Sequence, residues 1–319
     1  MANFFTSLFS SSVEETTDGM SKSDRKKFDI LKYDGVRAQK IGKLPYAIKC
    51  FTEALAINDD LETMSYLVGA YTMIHEPEKA LDVLDQMIKL DPELLTTLFT
   101  RVSVLFMLNR EKEAIEECLH IITLEPSNHL AYYLMAKAKK NLADMDGALD
   151  DITKGIAVNE DFSDAYLLRA EIWLAKENGN TALDDIEHVI SKEGEEENAY
   201  LLRAKIHMFL NNLPAAEEDY NKVLELNPFN EEGALKLIDL LILTERYEDA
   251  LIAVDELIEL SPSLSDAYTR RGKIKQLTGD ENAAEADMQK AEELRNVQIE
   301  HGGQVDFSNL NKGAHNVFG

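Results

Sequence analysis

Cysteine is scarce: the 319 residues hold two, Cys50 and Cys118. Two thiols build no disulfide framework, and they fit a reducing compartment. Positive charge is short as well, with 33 basic side chains against 59 acidic ones and a formal net charge of −26. Such a surplus repels phosphates and argues against general nucleic-acid binding or attachment to anionic lipid. Long apolar runs are missing, and nothing approaches the ~18 uninterrupted residues of a membrane span. The stretch NFFTSLF at residues 3–9 is short, with no lysine or arginine before it and no A-x-A site after it, so it does not read as a leader. These absences leave a soluble, cytoplasmic, acidic protein as the expectation.

Catalytic signatures are absent too. The seven histidines show neither H-x-x-x-H nor H-E-x-x-H spacing, and Cys-x-x-Cys, G-x-S-x-G, G-x-G-x-x-G and phosphate-loop patterns do not occur. Adjacent carboxylates such as Asp150–Asp151 and Asp184–Asp185 point to different faces of a helix. No catalytic residue, cofactor or metal ligand is assigned, and the chain is not expected to be an enzyme.

What the chain does have is 45% hydrophobic residues, enough for a core, and a period. Ala47, Ala80, Ala114, Ala148, Ala182, Ala216, Ala250 and Ala284 are spaced by 33 and then six times by 34 residues. Counting from each of these register alanines, Phe51, Leu84, Cys118, Ile152, Ile186, Tyr220, Val254 and Met288 lie four residues later. Twelve later come Asp59, Pro92, Pro126, Glu160, Gly194, Pro228, Pro262 and Asn296. Sixteen earlier come Leu31, Met64, Leu98, Tyr132, Tyr166, Tyr200, Ala234 and Tyr268. A small residue lets two helices approach closely, and proline stops the second helix and starts the next unit. A lone hairpin cannot bury its apolar stripe, so the units must stack.

AYLLRAEIWLAKENGNTALDDI (165–186), AYLLRAKIHMFLNNLPAAEEDYNKVLELNP (199–228) and AYTRRGKIKQLTGDENAAEADM (267–288) resemble the tetratricopeptide repeat. The resemblance implies an all-α, right-handed α-α superhelix of about sixteen antiparallel helices. Eight units would cover residues 28–298, with a mobile segment 1–27 before them and an irregular tail 299–319 after, neither expected to form a second domain. The single 33-residue spacing leaves helix A of unit two, ETMSYLVGAYTMIH, open to a one-residue shift.

The repeat also aligns charges. Arg101, Arg169, Arg203 and Arg271 lie thirteen residues before the alanine, each in a unit whose third residue after it is acidic: Glu117, Asp185, Asp219 and Asp287. Four structural, partly buried salt bridges between helix A and helix B follow from that pairing. His207 shares a column with Tyr71, Leu105, Trp173 and Leu241 and reads as a core residue. The run EGEEEN at 193–198 falls in an inter-unit turn and reads as a solvated acidic loop.

Eleven residues before the alanine stand Val36, Gly69, Ser103, Lys137, Glu171, Lys205, Asp239 and Lys273, the last five alternating in sign. With helices A side by side, this column should form a ladder on the concave face, its charges either pairing neighbour to neighbour or anchoring an extended ligand. Phe99 and Phe106, Tyr133, Leu167 and Leu174, Leu201 and Met208, and Leu235 flank it and would form an apolar groove, unless they only pack. The family's carboxylate clamp, lysine and asparagine four apart, has no counterpart in the pairs Lys32 and Val36, Ser65 and Gly69, or Phe99 and Ser103.

Residues 21–50 carry nine basic and three acidic side chains, a local +6. That basic start would either be a solvated cap or dock an acidic partner, including another copy. Phe4, Phe5, Leu8 and Phe9 fall at helical spacing, and this segment or the terminal HNVFG would fold into the groove or cap the array. The functional expectation is a non-enzymatic scaffold or adaptor that binds a peptide or helix of a partner protein in the concave face. It takes no nucleic acid, no membrane insertion and no cofactor. Two alternatives stand beside it: a peptide or small-ligand sensor that changes shape on binding, and a self-assembling structural protein.

Overall fold

The computed structural model describes residues 20–300. They form sixteen helices in eight hairpins: α1 (Lys22–Lys40) with α2 (Leu44–Leu55), α3 (Leu61–Met73) with α4 (Pro77–Leu90), α5 (Leu95–Met107) with α6 (Glu111–Leu124), and α7 (His129–Asn141) with α8 (Met145–Val158). Then come α9 (Ser163–Ala175) with α10 (Gly179–Glu193), α11 (Glu197–Phe209) with α12 (Leu213–Leu226), α13 (Glu231–Leu243) with α14 (Tyr247–Leu260), and α15 (Ser265–Leu277) with α16 (Glu281–Glu300). Among the described residues no strand occurs. The chain divides into two compact units, Met1–Leu168 and Arg169–Gly319. Within the first, each helix from α1 to α7 packs on its successor; within the second, each from α10 to α15 does so.

The register alanines explain the close crossings. Ala47, Ala80, Ala114, Ala148, Ala182, Ala216 and Ala250 have no exposed surface, and Ala284 has little. A larger side chain there would push the two helices of the hairpin apart. Four residues on, Phe51, Leu84, Cys118, Ile152, Ile186, Tyr220 and Val254 fill the core, whereas Met288 of the last hairpin is exposed. Phe51 fits because Gly35 faces it, where a Cβ would stand 2.5 Å from the ring.

Each hairpin turns in the same way. Gly42, His75, Asn109, Ala143, Glu177, Asn211, Glu245 and Gly279 all have positive φ, between 52° and 88°. The next residue sends its N–H back to the helix, as in Arg110 N to Leu105 O at 2.9 Å, Asn212 N to His207 O at 2.8 Å and Asp280 N to Lys275 O at 2.9 Å. That left-handed stop satisfies the last carbonyls of helix A and reverses the chain.

The one-residue irregularity lies outside helix A of unit two. α3 starts nineteen residues before its alanine, as α5 does, and its Met64, Leu67 and Val68 are buried in register. The missing residue comes from the preceding stretch, where α2 has 12 residues against the 14 of α4.

The expected mobile segment 1–27 needs correcting at its end, because residues 22–27 form the first turns of α1. Ser21 caps them by accepting from Asp24 N at 3.1 Å. At the other side α16 runs to Glu300, past the expected limit at 298. Phe4, Phe5, Leu8, Phe9 and the terminal HNVFG lie outside the described residues.

Candidate functional site

The arginine column takes most of the buried charge. In the first unit Arg101 Nη1 lies 2.5 Å from Glu117 Oε2. In the second, Arg169, Arg203 and Arg271 each grip their aspartate with two bonds, Nη2 to Oδ1 at 2.6 Å and Nε to Oδ2 at 2.9 Å, on Asp185, Asp219 and Asp287 respectively. The acids are buried and the arginines nearly so. A planar guanidinium matches both carboxylate oxygens at once.

Sequence reasoning missed a second acid. Arg101 Nε also reaches Asp85 Oδ1 on α4 at 3.0 Å, and Arg271 Nη1 reaches Asp255 Oδ1 on α14 at 2.7 Å. Arg101 and Arg271 therefore each tie their own hairpin to helix B of the preceding one. Asp85, Glu187 and Asp255 all stand five residues after a register alanine, so the same columns held the signal. The hydrogen bond to Asp219 above all, and more weakly the charge of Glu187, raise the Arg203 pKa. For Asp287 burial pushes the pKa up, but the bonds from Arg271 and Lys275 outweigh it and the net shift is downward.

His207 is mostly buried, as its column suggests. Nine residues before the alanine its column also holds Lys139 and Lys275, and these ammonium groups lie 2.5 Å from Asp151 and 2.8 Å from Asp287. His207 Nε2 stands 3.8 Å from Asp219 Oδ2. It therefore also lies beside the Arg203–Asp219 ion pair. Lys139 supplies the cation in the hairpin where Met135 replaces arginine.

The acidic run at 193–198 is more than a solvated loop. Glu196 caps α11 by accepting from Ala199 N, and Glu197 accepts from Asn227 Nδ2 at 3.0 Å and from Asn230. Ser261 repeats the contact one hairpin later, donating to Glu231 at 2.6 Å.

Two members of the charge ladder pair outside their own column. Asp239 takes two bonds from Arg270, at 2.8 and 2.9 Å, and Lys205 lies 2.7 Å from Glu232. Both partners belong to the next helix A and to other columns. Glu171 and Lys273 are exposed. In the first unit Lys137 is exposed and its ammonium stands 5.6 Å from the centre of the Phe106 ring, within cation–π range. Lys32, which holds a position of the missing clamp, is spent on Asp60 at 2.8 Å and Glu62 at 2.6 Å.

The flanking apolar residues divide. Phe99 and Phe106 are half-buried against the core of the first unit, and Tyr133 meets the Phe162 ring edge-on at 5.2 Å. Leu167 and Leu174 are half-buried, as are Met208 and Leu235 against the core of the second unit. Leu201 is 7% exposed inside that core, so it is removed from the candidate surface.

A different apolar column faces solvent. Seven residues before the alanine, Met107 is 59% exposed in the first unit, and Phe209, Leu243 and Leu277 are 48%, 60% and 50% exposed in the second. They stand four residues after Ser103, Lys205, Asp239 and Lys273, hence on the same helix face. That i, i+4 relation was the available signal. Among the described residues no group of three His, Cys, Asp or Glu side chains is placed to hold a metal, and no helix is long and apolar enough to cross a membrane.

The tetratricopeptide repeat model matches residues 201–265 and again 265–297. Residues 201–297 therefore carry tetratricopeptide repeats, and the array of sixteen helices fits a protein of that family. A solved tetratricopeptide repeat protein from Parabacteroides merdae superposes with a TM-score of 0.58 over 75% of this chain and 96% of its own, at 18% identity. At that identity the likeness is one of fold. Anaphase-promoting complex subunit 3 of Dictyostelium discoideum is 28% identical over 107 residues, 33% of this chain and 11% of that relative. The chain thus spans a small part of the curated relative's length. Repeats of this family support a protein-interaction scaffold in general, and the family and fold are typically non-catalytic.

Proposed function

We propose that this tetratricopeptide repeat protein is a non-enzymatic adaptor that holds a peptide or helix of a partner protein on the exposed face of its first helices. The observation carrying this reading is the solvent-facing column Met107, Phe209, Leu243 and Leu277, set beside exposed or partly exposed polar residues of the ladder. Large apolar side chains repeated at one helical position and left outside the core suit a binding surface. Ser103 and Lys137 would contribute in the first unit, and Glu171, Lys205, Asp239 and Lys273 in the second. Phe99, Phe106, Tyr133, Leu167, Leu174, Met208 and Leu235 would border it while serving the packing. The domain doing this work would be the eight-hairpin array over residues 28–298. The cytoplasm is the proposed setting, consistent with two buried free thiols; burial pushes Cys118 up to about 12, which keeps it protonated and unreactive.

Affinity capture with the full chain tests the proposal. Replacing Phe209→Ala and Leu243→Ala together removes exposed area and leaves the core intact, so the variant should fold normally and lose its partners. Undiminished capture would count against the proposal. A shape-changing sensor and a self-assembling protein remain the alternatives, and concentration-dependent light scattering with no captured partner would favour self-assembly.

A further inference from the structure

The first unit contains a cavity of about 280 Å³ between α3, α4 and α5. It opens where the ladder column holds Gly69 and Ser103, whereas later hairpins place lysine, glutamate or aspartate there. None of the described residues lining it is charged. Leu84, Met87, Val104 and Met107 give it apolar walls. Ser65, Thr72, Thr100 and Ser103 give it hydroxyls, each already donating to a carbonyl of its own helix at 2.7 to 3.1 Å. Their protons are committed, so toward the cavity these oxygens act as acceptors.

Thr97 differs from the other four. It lines the same cavity, is 2% exposed, and its Oγ1 has no hydrogen-bond partner. A buried hydroxyl without a partner is costly. Threonine in a helix adopts two χ1 rotamers of similar ease, and rotation exchanges its methyl and hydroxyl at the wall. The volume lies at the lower limit for ligand pockets, so it suits one large side chain and not a cofactor.

We infer that this cavity receives an aromatic side chain with a polar hydrogen, that of tryptophan or tyrosine, from a bound peptide. The methionine sulfurs and aliphatic walls take the ring. Thr97 and the hydroxyl acceptors take its N–H or O–H. The absence of lining charge disfavours carboxylate or ammonium side chains, which would be desolvated without a partner. This inference rests on the peptide-binding reading and names what one subsite of it selects.

Methyl NMR on the full chain tests it, with N-acetyl-tryptophanamide as probe and N-acetyl-phenylalaninamide as the analogue lacking the donor. The tryptophan probe should shift the Met87, Val104 and Met107 methyl signals saturably. The phenylalanine probe should bind roughly fivefold to tenfold more weakly, the loss of one hydrogen bond. In Thr97→Val that ratio should collapse toward one, with a thermal midpoint no lower than that of the wild type. Ser103→Leu, at an exposed position, should fill the cavity and abolish binding of both. No saturable shift with either probe, or an unchanged ratio in Thr97→Val, would overturn the inference. Partner capture in the Phe209→Ala, Leu243→Ala variant reports on the other unit, so failure there with intact probe binding would sink the wider reading alone.

Discussion

Outside glycine, a left-handed backbone costs roughly 1 kcal/mol or more, and six of the eight hairpin turns bear that cost at His75, Asn109, Ala143, Glu177, Asn211 and Glu245. Ala143 has no side-chain oxygen to offset it and is exposed. Ala143→Gly should therefore raise stability by about 1 kcal/mol in chemical denaturation. Gly279 sits in open space at φ 88°, so Gly279→Ala should lower stability by a similar amount through the backbone alone. The turn column was not found in the sequence, because glycine occupies only its first and last members and backbone dihedrals leave little trace elsewhere. The register alanines were legible because close approach excludes every larger side chain. Leu201 was misplaced because an apolar residue looks the same in a core as in a groove.

At the scale of helices, Arg101 and Arg271 join three elements where the sequence suggested two. Removing one partner strands a buried carboxylate, so Arg203→Met should cost about 3 to 5 kcal/mol, and Arg203→Met with Asp219→Leu should recover most of it. Urea titrations of the single and double variants measure this directly. The acids Asp60 and Asp287 contribute to the pH response. Burial would raise both, but the bonds from Lys32 and Thr63 to Asp60, and from Arg271 and Lys275 to Asp287, lower them overall. A carboxylate depressed on folding contributes stability that is present above its unfolded pKa of about 4 and is lost as the pH falls through the folded value. Stability should thus hold from neutrality to about pH 5 and decline below about pH 4, with a shallower acid limb in Asp287→Asn. The ion pairs could be read from the sequence because opposite charges recur at one spacing. The partners of Asp239 and Lys205 could not, since they lie on a neighbouring helix whose rotation the sequence does not fix.

For the molecule as a whole, the net charge of −26 acquires a division of labour. Part of the acidity is held by the arginine column and by Lys139 and Lys275, and other described acids pair elsewhere, as Asp60 does with Lys32 and Asp239 with Arg270. The period was enough to reveal the architecture. Phe106 and Met208 lean on the core, whereas their chain neighbours Met107 and Phe209 are about half exposed. Site-specific photo-crosslinking tests the central claim most directly. A crosslinking residue is placed in turn at Met107, Phe209 and Leu277 on first helices, and at the comparably exposed Leu119 and Ile252 on second helices. Crosslinks to a partner from the first three positions and not from the last two would bear out the account. Crosslinks from Leu119 and Ile252 alone would contradict it.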